Sequence, residues 1–293
     1  MSMLVESQEP TGIPQTTNKL VRPLVKWVGG KRQLMDTIKR HVPSHIGRYY
    51  EPFFGGGAVL FGLQPPCATI NDTNEELINL YKVVKENPKE LIADLRRHKN
   101  EEEYFYEVRS LDRDLDKWSN LTEVQRASRL IFLNKTCFNG LYRVNNSGEF
   151  NAPFGRYKNP RIVDQVTINA VSRFLKANDV LLLNGDFQSA VTDASSGDFV
   201  YMDPPYDPVS SSASFTGYAK GGFDQDEQIR VRDTSLKLIE KGVNVLISNS
   251  STDFIHKIYD LTCFKVVKVK ARRAVNSNGG ERGEVDEVLI SNR

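Results

Sequence analysis

The sequence predicts an α/β fold built on a mostly parallel sheet. Three observations point there. Short, largely apolar runs at 48–51, 68–71, 180–183, 199–202 and 243–247 look like buried strands of such a sheet. Helical patterns follow most of these runs, and strands alternating with helices pack as a layered sheet. Turns rich in Gly, Pro and Asp stand directly after three of the runs, where open α/β sheets hold their ligands.

Taken in order, the first 20 residues are polar, contain Pro10, Gly12 and Pro14, and lack the apolar core of a signal peptide, so a flexible tail is expected. The run at 48–51 leads into Glu51-Pro52-Phe53-Phe54-Gly55-Gly56-Gly57, and the run at 68–71 ends in Asn71-Asp72. A capping box over 73–76 then opens a helix with Leu77, Ile78, Tyr81 and Val84 on one face. From about residue 90 to 165 the alternation stops. Charged helical segments carrying Leu95, Tyr104 and Val108 and spanning 122–134 are followed by a hairpin-like piece at 141–152, with Asn146-Ser147-Gly148 as its turn. An inserted, mostly helical domain is expected at 91–165, between the halves 21–90 and 166–293 of the sheet domain. A second amphipathic helix at 228–240 presents Ile229, Leu236 and Ile239 and stops at Gly242. Two final strands, 265–270 and 285–290, flank a polar loop.

Composition limits the function. A chain of 293 residues with 39% hydrophobic and 26% charged residues is globular and long enough to bury a core without disulfide or metal staples. Cys67, Cys137 and Cys263 form no CxxC pair and read as reduced thiols of a cytoplasmic protein. No apolar run approaches the length of a membrane span. A net charge of +2 does not by itself announce a nucleic-acid partner; basic residues would have to be concentrated on one face.

Four motifs carry chemistry. Asp203-Pro204-Pro205-Tyr206 follows the strand at 199–202. A carboxylate, a carbonyl next to a residue without an N–H and an aromatic face together suit a planar base with an exocyclic amine. A rigid strand-ending turn accounts for the same residues. Glycines of the 51–57 loop allow a cofactor to approach the backbone, although the spacing is not that of a dinucleotide fingerprint. Asp72, one strand further on, suits two ribose hydroxyls or, equally, a helix N-cap. Lys26-Trp27-Val28-Gly29-Gly30-Lys31-Arg32 superficially resembles a phosphate loop. However, Val25 stands where its first glycine belongs and Arg32 replaces the hydroxyl that would hold magnesium, which excludes ATP binding. Two metal patterns also fail. Lys117 occupies the glycine position of an EF-hand-like run through Asp112, Asp114, Asp116 and Glu123. Pro43 interrupts the pair His41 and His45. No metal is expected.

These pieces occur together and in one order. The chain resembles the Dam family of DNA adenine methyltransferases, which modify the adenine of GATC. The resemblance runs from Lys26 to about the C-terminus, through KWVGGKR, EPFFGGG, NDTNEELINLY, FNGLYRVNNSGEFNAPFGRYKNP, GDF, DPPY and SNGGERGEVDE. It implies a Rossmann-like, S-adenosyl-L-methionine-dependent methyltransferase sheet with an inserted target-recognition domain carrying a β-hairpin. It also implies transfer of a methyl group from S-adenosyl-L-methionine to adenine N6 in double-stranded DNA, after base flipping. Trp27, Lys31, Glu51, Pro52, Phe53, Gly55, Gly57, Asp72, Asp186, Phe187 and Asp203 fall where the family binds the cofactor, and Asp203, Pro204, Pro205 and Tyr206 where it holds the target base. Lys26, Asn139, Leu141, Arg143, Asn145, Pro153, Arg156, Tyr157, Asn278 and Arg282 fall where it meets DNA. Arg143 has a warrant of its own, since Arg is the usual bidentate reader of guanine in the major groove. Residues 210–223, rich in Ser and Gly with Phe215, Tyr218 and Phe223, suit a mobile flap over the base or an ordinary loop.

The absence of a Pro-Cys nucleophile motif argues against cytosine-C5 chemistry; Cys137 is expected in a helix of the insert. The competing functions are a methyltransferase of RNA or of another DNA site, and a DNA-binding module with a dead cofactor site. The remaining expectations are a monomer or weak dimer and a restriction endonuclease as a partner in function rather than as a bound subunit.

Overall fold

The structure, a computed structural model, describes residues 12–14, 16–209, 222–272 and 284–292. In chain order its elements are α1 (Met35–His41), β1 (Tyr49–Glu51), α2 (Ala58–Leu63), β2 (Cys67–Asp72), α3 (Glu75–Glu86), α4 (Pro88–Leu95), α5 (Glu102–Ser110), α6 (Leu115–Ser119), α7 (Glu123–Thr136), α8 (Gln165–Ala177), β3 (Asp179–Asn184), α9 (Phe187–Ala190), β4 (Phe199–Met202), α10 (Gln225–Glu240), β5 (Asn244–Ser250), α11 (Asp253–Ile258), β6 (Lys265–Arg272) and β7 (Glu284–Ser291). The seven strands form one sheet in the order β3-β2-β1-β4-β5-β7-β6. The first five are parallel. β7 inserts antiparallel between β5 and β6. The expected α/β class is thus the observed one, and the order reverses between β1 and β4, where crevices open at the strand ends.

Most of the apolar runs became strands covered on both faces, whereas β3, at the sheet edge, alternates and leaves Leu181 50% exposed. Tyr49, Phe199, Tyr201 and Leu246 face one cluster, and Val200, Met202, Val245 and Ile247 the other. Helices α3, α4, α7 and α8 enclose the first cluster. Phe105 and Phe132, from the segment between residues 91 and 165, lie in it together with Leu80 and Phe61.

Three local expectations differ from the structure. The cap of α3 is Asn74, whose side chain accepts from Leu77 N, rather than a box begun at Thr73; Asp72 Oδ1 already accepts the Asn74 amide, which shifts the helix start by one residue. On α10 the buried stripe is Val231, Thr234, Ser235 and Leu238, with Ile229 and Ile239 half-buried at its margins, because polar Gln228 points inward to a network described below. Cys137 stands just past the end of α7, in extended backbone that bridges to Phe154. The hairpin exists as a minimal ladder. Val144 bridges Phe150, Asn145 N donates to Glu149 O, Asn151 N donates to Arg143 O, and Gly148 turns the chain at φ 85°. Among the described residues no helix is long and apolar enough to cross a membrane.

Candidate active site

The carboxyl ends of β1, β2 and β3 are tied together by backbone and amide contacts. Asn71, 1% exposed, donates through Nδ2 to Pro52 O (3.0 Å) and Gly185 O (2.9 Å), and its own carbonyl accepts from Phe54 N. Asp72 closes the glycine loop: Oδ2 accepts from Gly55 N at 2.8 Å while Oδ1 accepts from Asn74 N at 2.9 Å. The loop needs its glycines. Gly57 has φ 77°, and a Cβ there would stand 2.5 Å from Phe54 Cζ and 2.7 Å from Phe61. Trp27 lies against Gly55 and Gly56 and stacks on Tyr142 at 4.6 Å, so a ring from the N-terminal segment joins the loop to the start of the hairpin.

Glu51 ends β1 and is 2% exposed. Its Oε2 accepts from Tyr49 OH (2.8 Å) and Leu60 N (3.0 Å). Burial outweighs those bonds, and the nearby Asp203 and Asp72 add to it, so the carboxyl is pushed up to about 8 and carries a proton at neutral pH.

Asp203 follows β4 directly. Lys31 Nζ, on a side chain 6% exposed, pairs with Asp203 Oδ1 at 2.9 Å, and Oδ1 is itself buried. The same ammonium donates to Gly29 O (2.8 Å) and lies 4.7 Å from the centre of the Tyr206 ring, as a cation over an aromatic face. Burial raises Asp203 to about 6, Lys31 opposes the rise, and Glu287 adds to it. The Asp203 side chain as a whole is 19% exposed.

Tyr206 is fixed by a residue the sequence reading did not single out: its hydroxyl donates to Glu287 Oε2 at 2.8 Å. Behind the motif, Gln228 Nε2 takes the Pro205 carbonyl (2.7 Å), Asn249 Nδ2 takes Gln228 Oε1 (2.9 Å), and Asn249 Oδ1 accepts from Asp207 N (3.1 Å). Gln228 thus takes the Pro205 carbonyl and leaves the Pro204 carbonyl without a partner among the described residues.

Asp186 caps α9 at Gln188 N and pairs with Arg230 (2.9 Å). Phe187 is buried, stacks on Phe53 at 5.0 Å and is covered by Arg230. Phe223 meets the other side of Phe53 edge-on.

The residues expected at DNA form a second group. Lys26 and Asn134 of α7 clasp each other. Asn134 Oδ1 accepts from Lys26 N (2.8 Å), and its Nδ2 donates to Lys26 O and to Gly140 O. Asn139 sits at φ 59°, beyond the end of α7. Arg143 is exposed on the hairpin and donates to Asn151 Oδ1 (2.6 Å). Asn145 builds the turn, accepting from Ser147 N and Glu149 N, and Leu141 is half-buried. Pro153 O accepts from Phe138 N. Arg156 (φ 52°) and Tyr157 are exposed. Phe138, 57% exposed, belongs to this group; it opens the FNGLYRV motif but was not among the residues expected at DNA. Asn278, Arg282 and most of the flap segment lie outside the described residues.

The chain has relatives among known proteins. A family described as D12 class N6 adenine-specific DNA methyltransferase matches residues 27–275. The chain is 45% identical over 280 residues to the type II methyltransferase M1.LlaDCHI of Lactococcus lactis subsp. cremoris, covering 94% of this chain and 97% of the relative. It is 42% identical over 293 residues to the type II methyltransferase M.MjaIII of Methanocaldococcus jannaschii (93% and 99%). It is 35% identical over 273 residues to the DNA adenine methylase of Escherichia coli (92% and 94%).

Proposed function

The chain belongs to the D12 class of N6 adenine-specific DNA methyltransferases, and on that premise we propose that it uses S-adenosyl-L-methionine to methylate adenine within GATC in duplex DNA after flipping the base from the helix. The observation that carries this reading is the cluster at the end of β4. There Asp203, the Pro204 carbonyl and the Tyr206 ring stand beside buried Lys31 and next to the glycine loop.

The residues present fit the cofactor. A positively charged sulfonium suits a crevice that holds the Asp203 carboxylate, with the Asp72 carboxylate two strands away across β1. Bare glycine backbone at Gly55 and Gly57, with Glu51, Pro52 and Trp27 around it, suits the methionine end. Phe53 and Phe187 suit an adenine ring, with Asp186 at its rim. When bound, the cofactor supplies an electrophilic methyl group.

The protein's own residues do the rest. Adenine N6 is a weak nucleophile because its lone pair is delocalised into the ring. Asp203 and the Pro204 carbonyl accept its two N–H bonds, which favours a tetrahedral nitrogen and localises the lone pair. Pro205 stiffens the turn, and Tyr206, held by Glu287, stacks on the base. Holding the amine in line assists the transfer, the displaced N6 proton passes to Asp203 or to water, and no covalent intermediate with the protein is required. Flipping costs a few kcal/mol, offset by contacts in the pocket.

Segment 91–165 acts as the recognition insert, with Arg143 reading guanine and Lys26, Asn139, Leu141, Asn145, Pro153, Arg156 and Tyr157 around it. Pairing in function with a restriction endonuclease is supported by the type II names of two relatives.

The test is transfer of labelled methyl to a GATC duplex and to one with its guanine changed, with Asp203→Ala as the control protein. Transfer to the first alone, abolished in the variant, supports the reading. Equal transfer to both keeps the chemistry and overturns the site; no transfer to either overturns the reading as a whole.

A further inference from the structure

Asp112 begins as a failed calcium pattern, yet the structure gives it a different task. In the hairpin, Val144 and Phe150 face each other as the pair whose amides do not bond across the ladder, since the cross-strand bonds flank them at Asn145–Glu149 and Arg143–Asn151. The N–H and C=O of Phe150 therefore point outward, away from the partner strand. An isolated two-stranded ladder this short is marginal in water. Here its outer edge is closed by side chains. Asp112 Oδ2 accepts from Phe150 N at 2.7 Å, Arg113 Nη2 donates to Phe150 O at 3.0 Å, and Arg109 Nη1 donates to Ala152 O at 3.3 Å.

Asp112 is itself anchored. Arg129 Nη2 stands 2.8 Å from the same Oδ2, the two side chains being 8% and 12% exposed. Arg129 also donates to Val108 O and Arg109 O. One helix, α7, thus holds the hairpin at both roots, through Asn134 to Gly140 on the outgoing side and through Arg129 and Asp112 to Phe150 on the return.

We infer that Asp112, with Arg113, is a positioning residue for site recognition: it replaces a third strand, fixes the register of the hairpin and so aims Arg143 at its base. This rests on the reading of the hairpin as the DNA reader. Removing a hydrogen bond to a charged group lowers the hairpin's population in the productive register, and the loss falls on DNA recognition rather than on the cofactor crevice.

The experiment measures methyl transfer by the full chain to the GATC duplex and the guanine-changed duplex, with KM for DNA and kcat read separately. Equilibrium binding of S-adenosyl-L-methionine is measured without DNA. Asp112→Ala raises KM for DNA and lowers discrimination by about tenfold, the factor for one lost bond of this kind. kcat and cofactor binding stay near wild type. Asp112→Asn, which retains a carbonyl for Phe150 N, recovers part of the loss. Arg113→Ala, at the surface, shows the same KM effect in smaller degree and serves if Asp112→Ala fails to fold. Arg143→Ala is the reference. If it abolishes discrimination while Asp112→Ala and Arg113→Ala leave it intact, the positioning role is overturned. If kcat and cofactor binding fall with KM unchanged, Asp112 supports the fold in general and the inference is wrong. If Arg143→Ala itself changes nothing, the hairpin reading fails, and the inference with it.

Discussion

Glu51 offers the most quantitative test of the site's electrostatics. Its carboxyl is raised from an ordinary 4.5 to about 8, chiefly by burial. An acid with a raised folded-state value binds its proton more tightly folded than unfolded. Its stabilising contribution is therefore fully present below pH 4.5 and is lost as pH rises through about 8. Each pH unit inside that window removes about 1.4 kcal/mol. Glu51→Gln presents a neutral amide whose carbonyl can accept from Tyr49 OH and Leu60 N, as Oε2 does now. Groups away from the crevice titrate alike in both proteins, so the difference between them reports this carboxyl together with its coupling to Asp203 and Asp72. Urea unfolding of the cofactor-free proteins at about pH 5.5 and about pH 7.5 should show the variant gaining roughly 2–3 kcal/mol on wild type over the interval. A difference that stays flat with pH would mean that Glu51 is ionised in the folded protein, and the buried-acid reasoning would be refuted.

Other outcomes follow from the same geometry. Asp203 must be ionised to accept the amine, and burial places its titration at about 6, so transfer should rise with pH through about 6 and level off above it. Glu287→Gln removes a negative neighbour and should move that limb to lower pH; an unmoved limb would assign it to another group. Gly57→Ala forces a side chain into φ 77° and against Phe54 and Phe61, and should lower stability by about 1–3 kcal/mol, read as a lower urea midpoint. Phe138→Ala removes a ring that is 57% exposed beside the hairpin; weaker DNA binding by about 1–3 kcal/mol in a titration, with cofactor binding unchanged, is expected if the ring stacks on a base.

The central strands were legible because parallel strands buried on both faces, such as β4 and β5, leave largely apolar runs, and each expected run falls on a strand of the sheet. The glycine loop and Asp203-Pro204-Pro205-Tyr206 were legible for a related reason: tight approach and a rigid turn demand particular residue types at adjacent positions, so the signal is local. The identity of the family was legible because those local signals follow one another in a fixed order.

Long-range partnerships were not. Glu287 is 81 residues from Tyr206, Asn134 is 108 from Lys26, and Phe150 is 38 from Asp112. A carboxylate or amide at such a distance has no sequence period and looks the same whether it is solvated or committed. Nor does sequence say that β7 slips between β5 and β6, since two consecutive strands pair equally well at either edge until a sheet is there to receive them. The sequence alone determined the strands, the turns that follow them and the family. Tertiary structure decided which charges are buried, and so which carboxyl keeps its proton, and which side chains hold the hairpin, because desolvation and hydrogen bonding depend on neighbours that only folding brings within reach.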